Sequence, residues 1–160
     1  MVDDRARALE DLYRRRHAAL RNGIAPLVGS REAARDVVQE AFARALRERR
    51  RYRGEGSLEA WVWKIAFRLA LATRRNGREV ALDEAFAAAA LPEPERDPAL
   101  AAAVATLPPR RRLIVFLHYF ADLTYHDIAE VCGIAEGTVA ASLAQARAAL
   151  HEALEDEEGR

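Results

Sequence analysis

The amino-acid sequence predicts an all-α protein of two small helical domains, joined by an acidic linker that contains proline. Three observations lead to this prediction. In both halves of the chain, apolar residues recur at the i, i+3, i+4, i+7 period of amphipathic helices. Residues 81–98 break this period and hold three of the six prolines, which cannot continue a helix. The second half has the residue spacing of a helix-turn-helix. We therefore expect domains at residues 1–80 and 99–160, with the linker between them.

The first domain is predicted to hold three helices, at about residues 5–22, from residue 31 to about residue 46, and at residues 58–75. Residues that stop or cap helices separate them. These boundary residues are Asn22-Gly23 after the first helix, Gly29-Ser30 before the second, Ser57 before the third and Asn76-Gly77 after it. A loop with two glycines, residues 53–57, leads into the third helix.

The second domain is predicted to hold four helices. A short one at residues 99–106 is separated by Leu107-Pro108-Pro109 from a second at residues 110–120. Thr124, with an acid three residues on, forms a capping-box arrangement for a third helix that ends at Gly133. The last helix begins near Gly137-Thr138 and runs to about Leu154. The final six residues are expected to fray.

Ala129, Gly133 and Val139 have the spacing of a helix-turn-helix. Two helices that cross closely need a small side chain at the contact, and the short turn needs a residue that tolerates positive φ. The second helix needs an apolar anchor, so that its outer face can enter a major groove. An αα-hairpin with no role in DNA binding has the same spacing, and both interpretations stay open on the residues alone.

Composition restricts the class of protein. Hydrophobic residues make up 51% of the 160 residues, and no stretch approaches the roughly 18 consecutive apolar residues of a membrane span. The N-terminus lacks the apolar core of a signal peptide, so we expect a cytoplasmic protein without membrane insertion. The single cysteine, Cys132, allows no internal disulfide and is expected to be a buried apolar residue.

Nothing in the sequence predicts an enzyme. The four histidines do not pair with acids or with Cys132 at the spacing of metal ligands. No glycine-rich phosphate loop is present in the sequence, since Gly54-Glu55-Gly56 is too short and follows a helix. We therefore expect no catalytic residue, no metal and no cofactor.

The net charge of zero conceals a difference between the two halves. Up to Val80 there are 19 Lys and Arg against 11 Asp and Glu, whereas from Ala81 onward there are 6 against 14. Such asymmetry suggests that the first half meets a polyanion. Solvated helix faces alone also account for it.

Aromatic and basic residues are interleaved in the loop and third helix of the first domain. Aromatic rings stack on unpaired bases while Arg and Lys follow the backbone, which is typical of proteins that bind single-stranded or melting DNA. Trp61 shares an apolar stripe with Ile65 and is predicted to lie in the core, whereas Trp63 lies off that stripe and is predicted at a functional surface. Arg74 and Arg75 also suit a helix C-terminus without any DNA contact.

The second helix has a mixed, acidic outer face, with Asp36, Gln39 and Glu40 beside Val38 and Phe42. This face is unlike a DNA-binding surface. A protein partner and an ordinary solvated face both explain it.

The outer face of the last helix is poor in cations, since Arg147 is its only Arg or Lys. Residues 99–160 hold five Lys and Arg against nine Asp and Glu. DNA affinity depends on several cations that contact phosphate. We therefore expect this helix to read DNA weakly or to rely on a partner for affinity.

Two blocks of sequence resemble the extracytoplasmic-function (ECF) sigma factors, which guide bacterial RNA polymerase to promoters. DVVQEAF at residues 36–42, with YRGEGSLEAWVWKIA at residues 52–66, looks like the second region of that family. LPPRRRLIVFL at residues 107–117, with residues 120–150, is similar to the fourth region. The blocks stand in the family's order around an acidic linker, and the resemblance covers nearly the whole chain.

The resemblance implies that the second helix docks on core RNA polymerase, and that the loop and third helix bind and melt the minus-ten element of promoter DNA. It also implies that the last helix meets the minus-thirty-five element, and that an anti-sigma factor is a further partner. The core-binding residues so implied are Asp36, Gln39, Glu40 and Phe42. The minus-ten residues are Tyr52, Arg53, Ser57, Trp63, Lys64, Arg68, Arg74 and Arg75. The minus-thirty-five residues are Glu136, Thr138, Ser142, Gln145 and Arg147.

The last helix departs from the family pattern. Family members carry basic residues after its Gly-Thr-Val, where this chain has AASLAQA at residues 140–146. Ala135 replaces the usual Ser or Thr cap, at an expected cost of about 1 kcal/mol. Two other functions therefore stay open. One is a stand-alone helix-turn-helix regulator, which would normally dimerise. The other is a degenerate sigma factor that binds polymerase but directs little initiation.

Overall fold

The computed structural model describes residues 3–75 and 97–159, and every regular element in these ranges is helical. The predicted all-α class is confirmed. The chain forms two compact units, Met1–Val80 and Ala81–Arg160. Residues 76–96, which include most of the predicted linker and the predicted Asn76-Gly77 helix stop, lie outside the described residues.

The first unit is a bundle of three helices. Helix α1 spans Asp4–Val28, α2 spans Arg31–Glu48 and α3 spans Leu58–Arg75, with a short 3-10 helix at Arg49–Arg51. Each α-helix packs against the other two. Side chains from α1 and α3 supply the largest fully buried residues of this core, which are Leu20, Ile24, Val62, Trp63 and Phe67.

The predicted end of α1 at Asn22-Gly23 is wrong. The helix continues to Gly29, which has a φ of 89° and donates its N–H to the carbonyl of Ala25. In the added part, Ile24 is 0% and Leu27 is 2% exposed. Their burial outweighs the roughly 1 kcal/mol that a glycine costs inside a helix.

The predicted caps of α2 and α3 are confirmed. The hydroxyl oxygens of Ser30 and Ser57 each accept a hydrogen bond, of 3.0 Å, from the backbone N–H three residues further on. An ion pair of 2.6 Å between Arg16 and Glu59 joins α1 to the first turn of α3. The loop that precedes α3 is therefore fixed at its end.

The second unit places three helices around the last one. Helix α4 spans Pro98–Ala105, α5 spans Pro109–Tyr119, α6 spans Tyr125–Cys132 and α7 spans Glu136–Glu158. Helix α7 packs against α4, α5 and α6. The largest fully buried residues here are Leu113, Ile114, Leu117, Leu123, Ile128 and Leu143.

The predicted linker extends one residue too far, because α4 already begins at Pro98. Asp97 caps this helix by accepting a hydrogen bond of 3.0 Å from the N–H of Leu100. Proline suits the first helical position, where no backbone N–H is needed.

Helices α6 and α7 form the predicted helix-turn-helix. Thr124 caps α6 by accepting from the N–H of Asp127 at 3.1 Å. Gly133 ends α6 with a φ of 66° and donates its N–H to the carbonyl of Ala129. Val139 is 0% exposed and anchors α7. Gly133 and Val139 therefore have the expected structural roles, and Ala129 is buried, with 8% of its surface exposed.

The start of α7 agrees with the predicted cap position at Ala135, whereas its end lies beyond the predicted one. The helix starts at Glu136, after Ala135, which makes no side-chain capping bond. It then continues to Glu158, beyond the predicted end near Leu154. Extending an established helix adds one backbone hydrogen bond for each residue fixed, and this favours continuation.

Cys132 is buried, with 7% of its surface exposed, as predicted. Burial raises the pKa of its thiol to about 11. No helix in the described part of the chain is both long and apolar enough to cross a membrane.

Candidate nucleic-acid interface

The outward face of α3 combines an aromatic ring with cations. Trp61, Lys64 and Arg68 follow the i, i+3, i+7 spacing that places residues on one side of a helix. Trp61 and Lys64 are half-buried and Arg68 is exposed. We call these three residues the α3 face. Arg75 lies seven positions after Arg68 and so has the same helical position, but its side chain and that of Arg74 lie outside the description.

The prediction that Trp63 lies on this surface is wrong. Trp63 is 2% exposed and belongs to the core, whereas Trp61, which was predicted in the core, is only half-buried. Because α3 packs against both α1 and α2, its buried side is the stripe of Trp63, Ala66 and Phe67. Lys64 and Arg68 could have identified the outward tryptophan from the sequence. Trp61 lies three and seven residues before these cations, which places it on their side of the helix, whereas Trp63 does not have this spacing.

The loop before α3 is closed by two contacts of Tyr52. Its hydroxyl donates to the carbonyl of Gly56 at 2.7 Å. Its ring lies 5.5 Å from the ring of Trp61, at an interplanar angle of 38°. Gly54 and Gly56 have φ values of 81° and 75°, which residues with a Cβ rarely adopt. The loop thus has a defined shape beside the α3 face.

Two predicted residues of this loop have different surroundings. Arg53 is exposed and follows Tyr52 in the loop. Ser57 is exposed, but its hydroxyl oxygen is already engaged as the cap of α3. The side chain of Arg53 is therefore accessible, and Ser57 supports the geometry of the loop.

The outer face of α2 is acidic and exposed, as predicted. Asp36, Gln39 and Glu40 are exposed, and Glu40 forms an ion pair of 2.8 Å with Arg47. Phe42 is 9% exposed. Its ring packs edge-on against another aromatic ring, with centroids 5.0 Å apart. We call Asp36, Gln39 and Glu40 the α2 face.

An apolar groove of about 410 Å³ runs between α1 and α2, next to the α2 face. Leu46 and Tyr13 are 44% and 37% exposed at its edge. The residues that line the groove are Ala6, Arg7, Leu9, Glu10, Tyr13, Phe42, Ala43 and Leu46. Apolar surface left open in this way is typical of a site that binds another protein.

The predicted minus-thirty-five residues lie on two separate flanks of α7. Thr138, Ser142 and Gln145 follow the i, i+4, i+7 spacing of one flank, while Glu136 and Arg147 share the other. The outermost face between them carries only small residues. These exposed residues are Gly137, Ala141, Ala144 and Ala148.

Side chains from other helices hold three of these five residues. Arg111 donates to the amide oxygen of Gln145 at 2.5 Å. Arg147 donates to the hydroxyl of Tyr119 at 2.8 Å, and this bond is the main cause of a raised pKa for its guanidinium.

The third contact crosses the turn of the helix-turn-helix. Nδ1 of His126 lies 2.7 Å from Glu136 and Nε2 lies 3.4 Å from Glu130. The hydrogen bond to Glu136, followed by the charge of Glu130, raises the pKa of His126 above its ordinary value of 6.5. Within the described residues, no group of three or more His, Cys, Asp or Glu side chains could hold a metal ion.

Two protein-family models match this chain. A model described as Sigma-70 region 2 matches residues 12–80, and a model described as Sigma-70, region 4 matches residues 97–150. The boundary between the two compact units falls between the two matches.

Individual relatives agree with these matches. The chain is 30% identical over 123 residues to the RNA polymerase sigma factor SigV of Bacillus subtilis. The matched part makes up 74% of each chain. It is 33% identical over 140 residues to the ECF RNA polymerase sigma factor SigE of Mycolicibacterium smegmatis, covering 80% of this chain and 54% of that one. The fold is similar to that of the sigma factor RpoE from Bartonella quintana, solved in complex with the anti-sigma factor NepR. That match has a TM-score of 0.58 and 23% identity over 91% of this chain and 98% of the other.

A three-helix unit with an aromatic and basic face, followed by a helix-turn-helix unit, is the architecture of a promoter-specificity subunit of RNA polymerase. The chain belongs to the sigma-70 family, in its ECF group. Sigma factors of this family bind core RNA polymerase and promoter DNA and direct the initiation of transcription, without catalysing the synthesis themselves.

Proposed function

We propose that the α3 face and the loop at residues 52–57 bind and melt the minus-ten element. One observation carries this assignment: the ring of Trp61 stands among Lys64 and Arg68, beside a loop that Tyr52 holds closed. A ring next to cations suits an unstacked base whose backbone runs alongside. The loop offers a preformed site for such a base, so less ordering is needed when DNA binds.

The two arginines at the end of α3, Arg74 and Arg75, extend this surface in the proposal. Arg75 has the same helical position as Arg68, Arg74 stands next to it, and the excess of cations up to Val80 supports a polyanionic ligand. Trp63 has no direct contact with DNA in this assignment. It supports the α3 face from the core.

The α2 face is proposed to dock on core RNA polymerase. Its charge makes it unsuited to DNA, and the adjacent groove adds apolar area at Leu46 and Tyr13. A polar face beside an apolar patch is typical of protein interfaces. Phe42 lies mostly under this surface and shapes the groove through its contact with Tyr13.

The last helix is proposed to lie at the minus-thirty-five element and to contribute little affinity alone. At residues 137–148 its outermost face carries only small residues, and its donors stand on the flanks. The polymerase therefore supplies most of the affinity for the promoter, and the last helix adjusts the position of the protein on the minus-thirty-five element. A degenerate factor that binds polymerase without initiation is the second candidate, which the small residues on this face favour.

The remaining assignments follow from the family. We propose that the protein acts in the cytoplasm, is not an enzyme and uses no cofactor or metal. We also propose an anti-sigma factor as a regulatory partner, because the similar RpoE structure was solved with one.

Transcription in vitro tests the proposed function. The purified protein is mixed with core polymerase and fragmented genomic DNA of the source organism, and new RNA 5′ ends are mapped. Discrete ends that need the protein and share an upstream motif are expected. Core binding without new ends would instead support the degenerate factor, and absence of both would support a stand-alone regulator.

A further inference from the structure

Arg111 of α5 and Gln145 of α7 form a pair at the edge of the helix-turn-helix surface. The guanidinium of Arg111 donates to the amide oxygen of Gln145 at 2.5 Å, across 34 residues of sequence. Arg111 is half-buried and Gln145 is exposed. Gln145 ends the flank that also carries Thr138 and Ser142.

The chemistry of the pair fixes how Gln145 faces its surroundings. A guanidinium has donors only, so the group of Gln145 that faces it must be the amide oxygen. The amide nitrogen, with its two hydrogens, is left as the free end. A glutamine without such a partner presents an acceptor and a donor side by side, and it reads adenine with both. Here Arg111 uses one of the two lone pairs of the amide oxygen, and the pair as a whole presents more donors than acceptors.

We propose that Arg111 is a specificity-determining residue, which converts Gln145 from an adenine-reading side chain into a reader of guanine in the minus-thirty-five element. This inference rests on the proposed placement of α7 at that element. The major-groove edge of guanine offers two acceptors, N7 and O6, whereas adenine offers one acceptor and one donor. Paired donors therefore complement guanine and oppose the N6 amino group of adenine.

The position of Arg111 also explains how α7 functions with few cations. Arg147 is the only Arg or Lys in α7, and it lies on the opposite flank. Arg111 brings a positive charge from α5 to the flank of Thr138, Ser142 and Gln145. Each flank of α7 thus has one guanidinium, with the small residues between them.

A promoter library with a randomised minus-thirty-five region tests this inference. The full chain and core polymerase transcribe the library, and the transcribed templates are sequenced. The natural protein is expected to enrich guanine at one position, by on the order of tenfold. Gln145→Ala should weaken the enrichment at that position and so identify it. Arg111→Ala should change the preference at that same position from guanine to adenine.

Two controls separate specificity from fold and from charge. Arg110→Ala removes the same charge from the neighbouring position, and it should leave the preference for guanine in place. Circular dichroism confirms that the variants fold. A purely structural role of Arg111 would lower transcription from all templates without changing the preferred base.

The inference is overturned by guanine enrichment that persists in Arg111→Ala, or by adenine enrichment with the natural protein. It also fails when the natural protein transcribes the library but shows no preference in the minus-thirty-five region, although the proposed function then stands. Absence of any transcript with the natural protein would contradict the proposed function itself.

Discussion

Tyr52 and Trp61 lie with their rings 5.5 Å apart, and together they join the loop before α3 to the outward face of that helix. The hydroxyl of Tyr52 closes the loop on the carbonyl of Gly56, while the half-buried ring of Trp61 stays accessible. The contact couples the shape of the loop to the position of Trp61, which is the more exposed of the two tryptophans. Both residues therefore give direct tests of the proposed role of the first unit in promoter melting.

Trp61 and Trp63 are expected to respond differently to replacement by alanine. Trp63→Ala empties a fully packed site and should cost about 3–5 kcal/mol of unfolding free energy. Trp61→Ala loses a partly exposed ring pair, so the cost should be about 1–2 kcal/mol. Promoter opening at saturating polymerase binding should nevertheless fall strongly in Trp61→Ala. Urea unfolding and the fluorescence of 2-aminopurine in the minus-ten element measure the two effects, with Trp61→Phe as the control that keeps a ring.

Removal of one hydroxyl tests whether the loop must be held closed. Tyr52→Phe keeps the ring contact with Trp61 but loses the bond to Gly56. The net cost in stability should be about 0.5–1.5 kcal/mol, and open-complex formation should slow while polymerase binding stays unchanged. Unaltered opening kinetics in a stopped-flow assay would mean that the closed loop has no part in melting.

The α2 face is expected to be required for polymerase binding but not for folding. Asp36→Arg combined with Gln39→Ala changes the charge and shape of an exposed surface, so stability should change by less than about 0.5 kcal/mol. Affinity for core polymerase should fall by at least tenfold in a fluorescence-anisotropy titration. Asp11→Arg, which reverses an exposed acid on α1, is the matched control and should bind normally. Equal affinity of the double variant and the control would exclude docking through this face.

The contact of His126 with Glu136 is expected to make the second unit sensitive to pH. Protonated His126 is stabilised in the folded state, since its pKa is raised above 6.5 by Glu136 first and Glu130 second. This contribution is complete below pH 6.5 and is lost as pH rises through the raised pKa. The imidazole is exposed, so the effect on stability is small. An NMR titration should give a pKa above 6.5 that moves back toward that value in Glu136→Gln, and an unchanged pKa in this variant would exclude the contact in solution.

Cys132 is expected to be unreactive in the native protein. Its thiol is buried with a pKa of about 11, and the thiolate is the reactive form. Ellman's reagent at pH 8 should therefore label Cys132 slowly in the folded chain and rapidly in urea. Fast labelling without urea would indicate that the second unit opens readily around α6.

Local sequence signals predicted most of the helices and their caps. Ser30, Ser57, Thr124 and Gly133 act through hydrogen bonds within a few residues of themselves, so their roles can be read from the chain. The end of α1 could not be read in this way. By propensity, Gly23 favours the end of a helix. The helix continues because the residues after Gly23 are buried against other helices, and this burial is not visible in the local sequence.

The candidate site was harder to predict because it depends on which side of a helix is buried. Apolar residues occur on most sides of helix α3, so its sequence fits two different buried stripes, one with Trp61 and one with Trp63. Packing against α1 and α2 buries the stripe with Trp63. The pairs Arg111–Gln145 and Tyr119–Arg147 join residues far apart in sequence. Such pairs have no periodic signature, and only the packing of α5 against α7 brings them together.

Photocrosslinking from position 61 tests most directly whether the α3 face meets melted DNA. Trp61 is replaced by p-azidophenylalanine, which keeps an aromatic ring, and Arg15 on the exposed side of α1 is replaced in the same way as the control. In complexes with core polymerase and promoter, the probe at position 61 should crosslink to one strand of the minus-ten element, and the control should not. Complexes that initiate transcription without a crosslink from position 61, or with equal crosslinks from both positions, would contradict this account of how the protein opens a promoter.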